Sequence, residues 1–171
     1  MPKIFICEGE KYTFGSQTIS LPVVLKDLPE EINIEGYKLL LRSSFHVSLV
    51  CIGKIIEKHD VSVSNFENLV IADFCKFVAE NDISLIRYRD EFRFVESGEK
   101  RSVVVFCDVF NLRGFFNIIN KKYGLHLEVQ PTHVTLYTLQ PDVGIFLIDS
   151  NDIQQLTKSI NNPIGFVPQP F

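Results

Sequence analysis

Apolar and polar positions follow two rhythms along the chain: period two in several short runs, and a helical period in two longer ones. "KIFICE" (3–8) reads as a short strand, and "TISLPVVLKDLPEEINIEG" (18–36), with two prolines and several acids, as a short strand followed by turn and loop. "YKLLLRSSFHVSLVCIG" (37–53) reads as one longer strand ended by Gly53. "VSVSNFENLVIADFCKFVAEND" (61–82) is helical, with Phe66, Leu69, Val70, Phe77 and Val78 along one side. Ser64 and Glu67 have the spacing of a capping box at its start. "ISLIRYR", "FRFVES" and "RSVVVFCDV" then predict an antiparallel meander, turning at Asp90-Glu91 and at "SGEK". "NLRGFFNIINKKYG" (111–124) is a second helix, with Lys121 and Lys122 at its negative end and Gly124 as its stop. "LHLEVQPTHVTLYTL" (125–139) reads as a strand interrupted near Pro131, "VGIFLID" (143–149) as another strand, and "NDIQQLTKSI" (151–160) as a short amphipathic helix. The predicted class is α+β: mostly antiparallel sheet, two principal helices, and one domain over residues 1–171.

Within this pattern one polar word recurs. "HVSL" (46–49) and "HVTL" (133–136) lie on two of the predicted strands. Residues two apart on a strand share a face. His46 and Ser48 therefore point one way, and Val47 and Leu49 the other; His133 and Thr135 likewise oppose Val134 and Leu136. The apolar face packs under the helices, so the polar face looks into water, a cleft or a buried polar network. A single His-x-Ser on a strand is an ordinary half-exposed pair. Two matched copies point to shared chemistry.

Imidazole titrates near neutral pH and serves as either base or acid. Two imidazoles on opposite sides of one phosphate take a proton from the attacking oxygen and return one to the leaving oxygen. The adjacent hydroxyls donate to phosphate oxygens as charge builds. Neither step calls for a metal or other cofactor. Sequence alone leaves open which histidine is acid and which base.

These residues resemble the two-histidine (2H) phosphoesterases, which carry two His-x-Thr/Ser words roughly 80–100 residues apart, one on a strand of each lobe of a bilobal fold. Here the words start 87 positions apart, at 46 and 133. The first runs on to Gly53, and the second has Pro131 close before it, as in many members. The resemblance implies two mostly antiparallel sheets facing a central cleft, with helices outside. It implies His46 and His133 as the acid–base pair, with Ser48 and Thr135 on the phosphate. The implied activity is hydrolysis of 2′,3′-cyclic phosphate or 2′–5′ bonds in RNA or small nucleotides. Some branches place an arginine shortly after the second word; here Tyr137 and Thr138 stand there, so no branch-specific substrate is assigned. The alternative from another class is a non-catalytic module that binds RNA ends or nucleotides in the same cleft, and a third is an interaction protein whose histidines are structural.

Strand parity adds Arg42, Ser44 and Tyr137 to the polar face. Arg42 and Tyr137 are candidates for substrate contact, weighed against a solvated charge and a packing ring. Arg87 and Arg89 could wall a cleft, but an ordinary solvated strand face is the safer reading. Phe14, Phe92 and Phe94 could stack a base, but most of the 15 phenylalanines must be core. His59 and His126 lack a hydroxyl two positions on and fall outside the pattern.

Charge and cysteine usage narrow the partners. Net charge is −4, with a pI near 5.6, which argues against holding a long DNA duplex by its phosphates; RNA ends or small nucleotides remain. Cys7, Cys51, Cys75 and Cys107 are scattered in apolar contexts with no CxxC pair. They read as buried free thiols in a reducing compartment rather than as a metal site. With no leader or membrane-length apolar run, the expected address is cytoplasmic, and a monomer is the default. The proline-bearing end, "NNPIGFVPQPF", is expected to be loosely held.

Overall fold

In the computed structural model residues 3–170 are described. The elements run β1 (Ile4–Ile6), β2 (Tyr12–Gly15), β3 (Thr18–Val23), β4 (Glu31–Ile34), β5 (Tyr37–Leu41), β6 (Phe45–Cys51), α1 (Ile52–His59), α2 (Phe66–Glu80), β7 (Ser84–Ser97), β8 (Lys100–Phe110), α3 (Leu112–Tyr123), β9 (His133–Thr138), α4 (Ser150–Leu156) and β10 (Thr157–Ile160). The strands form one open antiparallel sheet in the order β1-β2-β3-β6-β9-β8-β7-β10, and the β4–β5 hairpin joins β9 through β5.

The class is α+β, as the period pattern predicts. The two sheets expected are, however, a single one, because β6 pairs directly with β9 at Val47 and Val134. Val47, Leu49, Val134 and Leu136 are all fully buried in the same core, together with Phe74, Phe115 and Phe116 of the helices. One shared core draws the two strands edge to edge, and their pairing satisfies backbone groups that separate sheets would leave open.

Helices α1, α2 and α3 cover this face through Ile52, Ile55, Phe66, Val70, Phe74, Leu112 and Ile119. The opposite face carries a smaller core of Val95, Val104 and Phe106 from the sheet with Ile145 and Leu147 from the 143–149 segment. That segment was expected to be a strand. It forms no ladder and crosses this face as an irregular strap, pinned by Ile145 and Leu147.

Other local expectations change for identifiable reasons. The strand predicted over 37–53 breaks at Arg42–Ser44, so β5 and β6 lie end to end along the same edge of β9. Gly53 does not end a loop-bound strand; it sits in the first turn of α1, which follows β6 directly and ends at His59. The Ser64–Glu67 capping box is not formed. Asn65 is the N-cap in a left-handed conformation without a side-chain cap, and Glu67 instead accepts from Gln17. Asp90-Glu91 is an irregularity inside the single long strand β7, whose register with β8 shifts between Tyr88 and Phe92. The helix α3 and its stop at Gly124, with φ of 64°, are as the sequence predicts. Toward the C-terminal end Asn162 accepts from the backbone amides of Ile164 and Gly165, and Ile164 and Val167 pack against the core, so residues 162–167 are held rather than loose; Phe171 lies outside the described residues.

Cys7 and Cys75 are joined in a disulfide, with Cα atoms 5.4 Å apart, while Cys51 and Cys107 are free and buried. This corrects the reading of four free thiols: two residues far apart in sequence meet where the end of β1 crosses α2. Disulfides persist in oxidising surroundings, so the pair weighs against the reducing setting that the spacing suggested. No helix among the described residues is long and apolar enough to cross a membrane.

Candidate active site

The recurring word gains its meaning from the pairing of β6 with β9. An antiparallel pair has a local two-fold axis, and here it passes between Val47 and Val134. That axis carries His46 onto His133 and Ser48 onto Thr135. Stepping one residue either way from the Val47–Val134 pair puts His46 opposite Thr135 and Ser48 opposite His133. The histidines are then diagonal neighbours, a relation that spans about 7–8 Å at the backbone. Both rings line one cavity.

Neighbouring strands extend the floor. Ser20 on β3 pairs with Ser48, and Pro22 with His46. On the other side Phe106 on β8 pairs with His133 and Val104 with Thr135. The Phe106 and His133 rings lie 5.9 Å apart between centroids. The result is a polar floor bounded by apolar packing under the strap.

Above the floor is a cavity of about 360 Å³, and His46, Ser48, His133 and Thr135 all line it. Arg42 joins them from the break between β5 and β6, and Lys3 from the start of the described chain. The Arg42 Nε atom is buried and 3.7 Å from Asp142 Oδ1, beyond hydrogen-bonding distance. Asp142 is itself fixed by Ser43, whose amide and hydroxyl donate to its two oxygens at 3.0 and 2.8 Å. Gly144 gives the guanidinium room: a Cβ there would lie 3.1 Å from Arg42 Nη1.

Tyr137 is the exception among the candidates. It is 0% exposed, does not line the cavity, and its hydroxyl donates to the Pro29 carbonyl at 2.9 Å. The register between β8 and β9 shifts between Val103 and Val104, so strand parity fails just before Tyr137 and turns it into the core. Ser44 also lies outside the cavity lining. Arg87 is paired with Asp108 at 2.6 Å, and Arg89 with Glu91 at 3.1 Å and Asp108 at 3.5 Å; neither lines the cleft. Phe92 and Phe94 are core residues, and Phe14 packs partly buried against that core. His59 and His126 face a separate small pocket of about 70 Å³.

Three contributors escaped the sequence reading: Lys3, Gln130 and Ser20. Lys3 and Gln130 lie in irregular segments ahead of β1 and β9, and only Ser20, on β3, sits in an alternating run that could have marked it. Gln130 is 2% exposed and clamps the end of β6. Its Oε1 accepts from the Cys51 amide at 2.9 Å, and its Nε2 donates to the Ser48 carbonyl at 3.0 Å.

Two cations, Lys3 and Arg42, and one carboxylate, Asp142, line the cavity beside the histidines. Burial, the Lys3 and Arg42 cations and His133 together hold the His46 pKa down at about 3. Burial lowers that of His133 to about 4, against a smaller upward pull from the Pro131 carbonyl. Burial also lowers the Lys3 ammonium, with Arg42 adding to the effect. Both imidazoles are therefore neutral near pH 7, beside two cationic side chains.

The two rings are not equivalent. His133 Nδ1 is 3.3 Å from the Pro131 carbonyl, an acceptor only, so Nδ1 carries the proton and Nε2 keeps a lone pair. His46 Nδ1 is 3.0 Å from the Lys3 ammonium, a donor only, so Nδ1 accepts and Nε2 carries the proton. A sequence dyad has become one imidazole that accepts and one that donates. No group of three or more His, Cys, Asp or Glu side chains among the described residues is arranged to hold a metal ion. The chain matches no protein-family model, no curated protein and no solved structure.

Proposed function

We propose that this cleft hydrolyses phosphodiesters, opening 2′,3′-cyclic phosphates or cutting 2′–5′ linkages in RNA ends or small nucleotides, without a metal. The observation that carries the reading is the diagonal placement of His46 and His133 across one antiparallel pair, with a hydroxyl opposite each ring. The resemblance of the two words to those of 2H phosphoesterases supports the same chemistry, with each half of the sheet standing for one lobe.

In this mechanism the phosphate settles between the rings, against Arg42. Ser48 and Thr135 donate to its non-bridging oxygens, where negative charge grows in the transition state. His133, with Nε2 free, takes a proton from the attacking water. His46, with Nε2–H, gives one to the departing ribose oxygen.

The test is to assay the wild type, His46→Ala and His133→Ala on 2′,3′-cyclic mononucleotides and 2′–5′ dinucleotides with chelator present. Each variant should lose roughly 10³-fold or more of the activity, in line with removal of a general acid or base. Binding of these nucleotides with no turnover by the wild type would replace the enzyme with a binding module. Turnover that survives in both variants would remove the histidines from the chemistry.

A further inference from the structure

The mechanism leaves a proton unaccounted for. A neutral imidazole that gives up its Nε2 proton becomes an imidazolate unless Nδ1 gains one at the same time. At His46 the group on Nδ1 is the Lys3 ammonium. We propose that Lys3 is the proton source for this site, setting the His46 tautomer and passing its proton through the ring to the leaving oxygen. The inference rests on the phosphodiesterase reading and adds a residue to it.

The step balances. The water oxygen bonds to phosphorus as its proton moves to His133 Nε2. The bond from phosphorus to the leaving ribose oxygen breaks, and that oxygen takes the Nε2 proton of His46. Nδ1 of His46 takes a proton from Lys3, which is left as a neutral amine. His133 is left as imidazolium. Exchange with solvent returns both groups to their starting states, and no oxidant or other co-reactant is required.

Geometry places Lys3 for this role. It is exposed as a residue, yet the end of its side chain enters the cleft and meets His46 at 3.0 Å. The path runs over Gly15 on β2, the neighbouring strand. A Cβ at position 15 would lie 2.7 Å from Lys3 Cγ and 3.2 Å from its Cα, so any larger residue there displaces the lysine. Glycine at 15 thus keeps the path open without touching either histidine. The charged and titratable groups that share the cavity with this pair are Arg42, His133, Asp142 and the buried Cys51 thiol, which burial keeps protonated. Arg42 favours release of the Lys3 proton, and the negative charge that builds on the phosphodiester monoanion beside His46 favours its passage onto the ring.

A cation that merely held the phosphate would act on every diester alike. A proton source matters only when the leaving oxygen needs a proton. The experiment compares Lys3→Met, Lys3→Arg and Gly15→Ala with the wild type on two substrates: a ribosyl cyclic phosphate, and a nitrophenyl diester whose phenolate leaves unprotonated. Arginine keeps the charge but does not release a proton. All three variants should lose about 10²-fold in kcat on the ribosyl substrate and less than about 5-fold on the nitrophenyl diester. In parallel, ¹⁵N NMR of His46 should show the Nε2–H tautomer in the wild type and its loss in Lys3→Met.

Equal slowing of both substrates in Lys3→Met, or full ribosyl activity in Lys3→Arg, would overturn the relay. So would a wild-type His46 protonated at Nδ1. Should the wild type cleave neither substrate, the phosphodiesterase reading falls, and the relay with it. Normal wild-type cleavage with an indifferent Lys3 removes the relay alone.

Discussion

Gln130 holds Ser48 in place from outside its own strand: its amide donates to the Ser48 carbonyl at 3.0 Å while its carbonyl oxygen accepts from the Cys51 amide at 2.9 Å. The residue lies just ahead of β9, so one side chain ties the two word-bearing strands together at the end where Ser48 faces His133. Gln130→Leu would keep the volume and strand both backbone groups without partners. A loss of roughly 2–4 kcal/mol is expected from two unsatisfied buried groups, read from urea unfolding. A variant as stable as the wild type would mean that the clamp is incidental.

The neutral histidines predict acid sensitivity of a definite sign. Their pKa values of about 3 and 4 in the folded chain lie below the ordinary 6.5. Between pH 6.5 and these values the unfolded chain binds protons that the folded chain does not, so stability falls as pH falls. The contribution is complete above pH 6.5 and gone once the folded values are passed. His133→Gln should flatten the stability profile by on the order of 3 kcal/mol between pH 7 and pH 4. Sulfate should offset the wild-type loss, because an anion between the rings favours their protonation. A profile unchanged by either the substitution or the anion would contradict the neutral pair.

Gly144→Ala tests the Arg42 wall. The added methyl would stand 3.1 Å from the guanidinium, so the side chain must give way. Affinity for sulfate or a cyclic nucleotide should drop about tenfold, roughly 1.4 kcal/mol, with the fold intact. Calorimetric titration measures it, and an unchanged affinity would place Arg42 outside the anion's reach.

The Cys7–Cys75 disulfide closes a loop between residues 68 positions apart. By loop entropy, Cys7→Ser with Cys75→Ser should cost about 4 kcal/mol. Thermal melts of the wild type with and without reductant should differ in the same direction, whereas the double variant should not respond to reductant. Identical melts for wild type and variant in oxidising buffer would argue that the bond adds nothing.

How far the fold was legible follows from the range of each signal. The helix α3 was readable because its apolar stripe, its lysines and its Gly124 stop all act within a few residues. Helix α1 was hidden: it begins without a cap directly at the end of β6, and a short apolar run there continues the strand pattern as readily as it starts a turn. The 143–149 segment alternates like a strand, but no edge is offered to it, so its apolar side chains pack across the sheet while its backbone forms no ladder. Tyr137 was placed on the polar face by unbroken alternation, but the register shift between Thr135 and Tyr137 cannot be seen in a single strand.

What the sequence determined by itself is the identity of the chemistry-bearing groups. Two histidines, each followed at the strand period by a hydroxyl, define polar faces on two strands through local stereochemistry alone. The tertiary structure decided that the strands are neighbours, that their two-fold axis falls between Val47 and Val134, and that Lys3 rather than a carbonyl meets His46. Those outcomes depend on contacts between residues 43 to 87 positions apart in the chain, from Lys3 to His46 and from Val47 to Val134. Periodicity carries no information over such separations; burial in one shared core, and the pairing it enforces, supplies it.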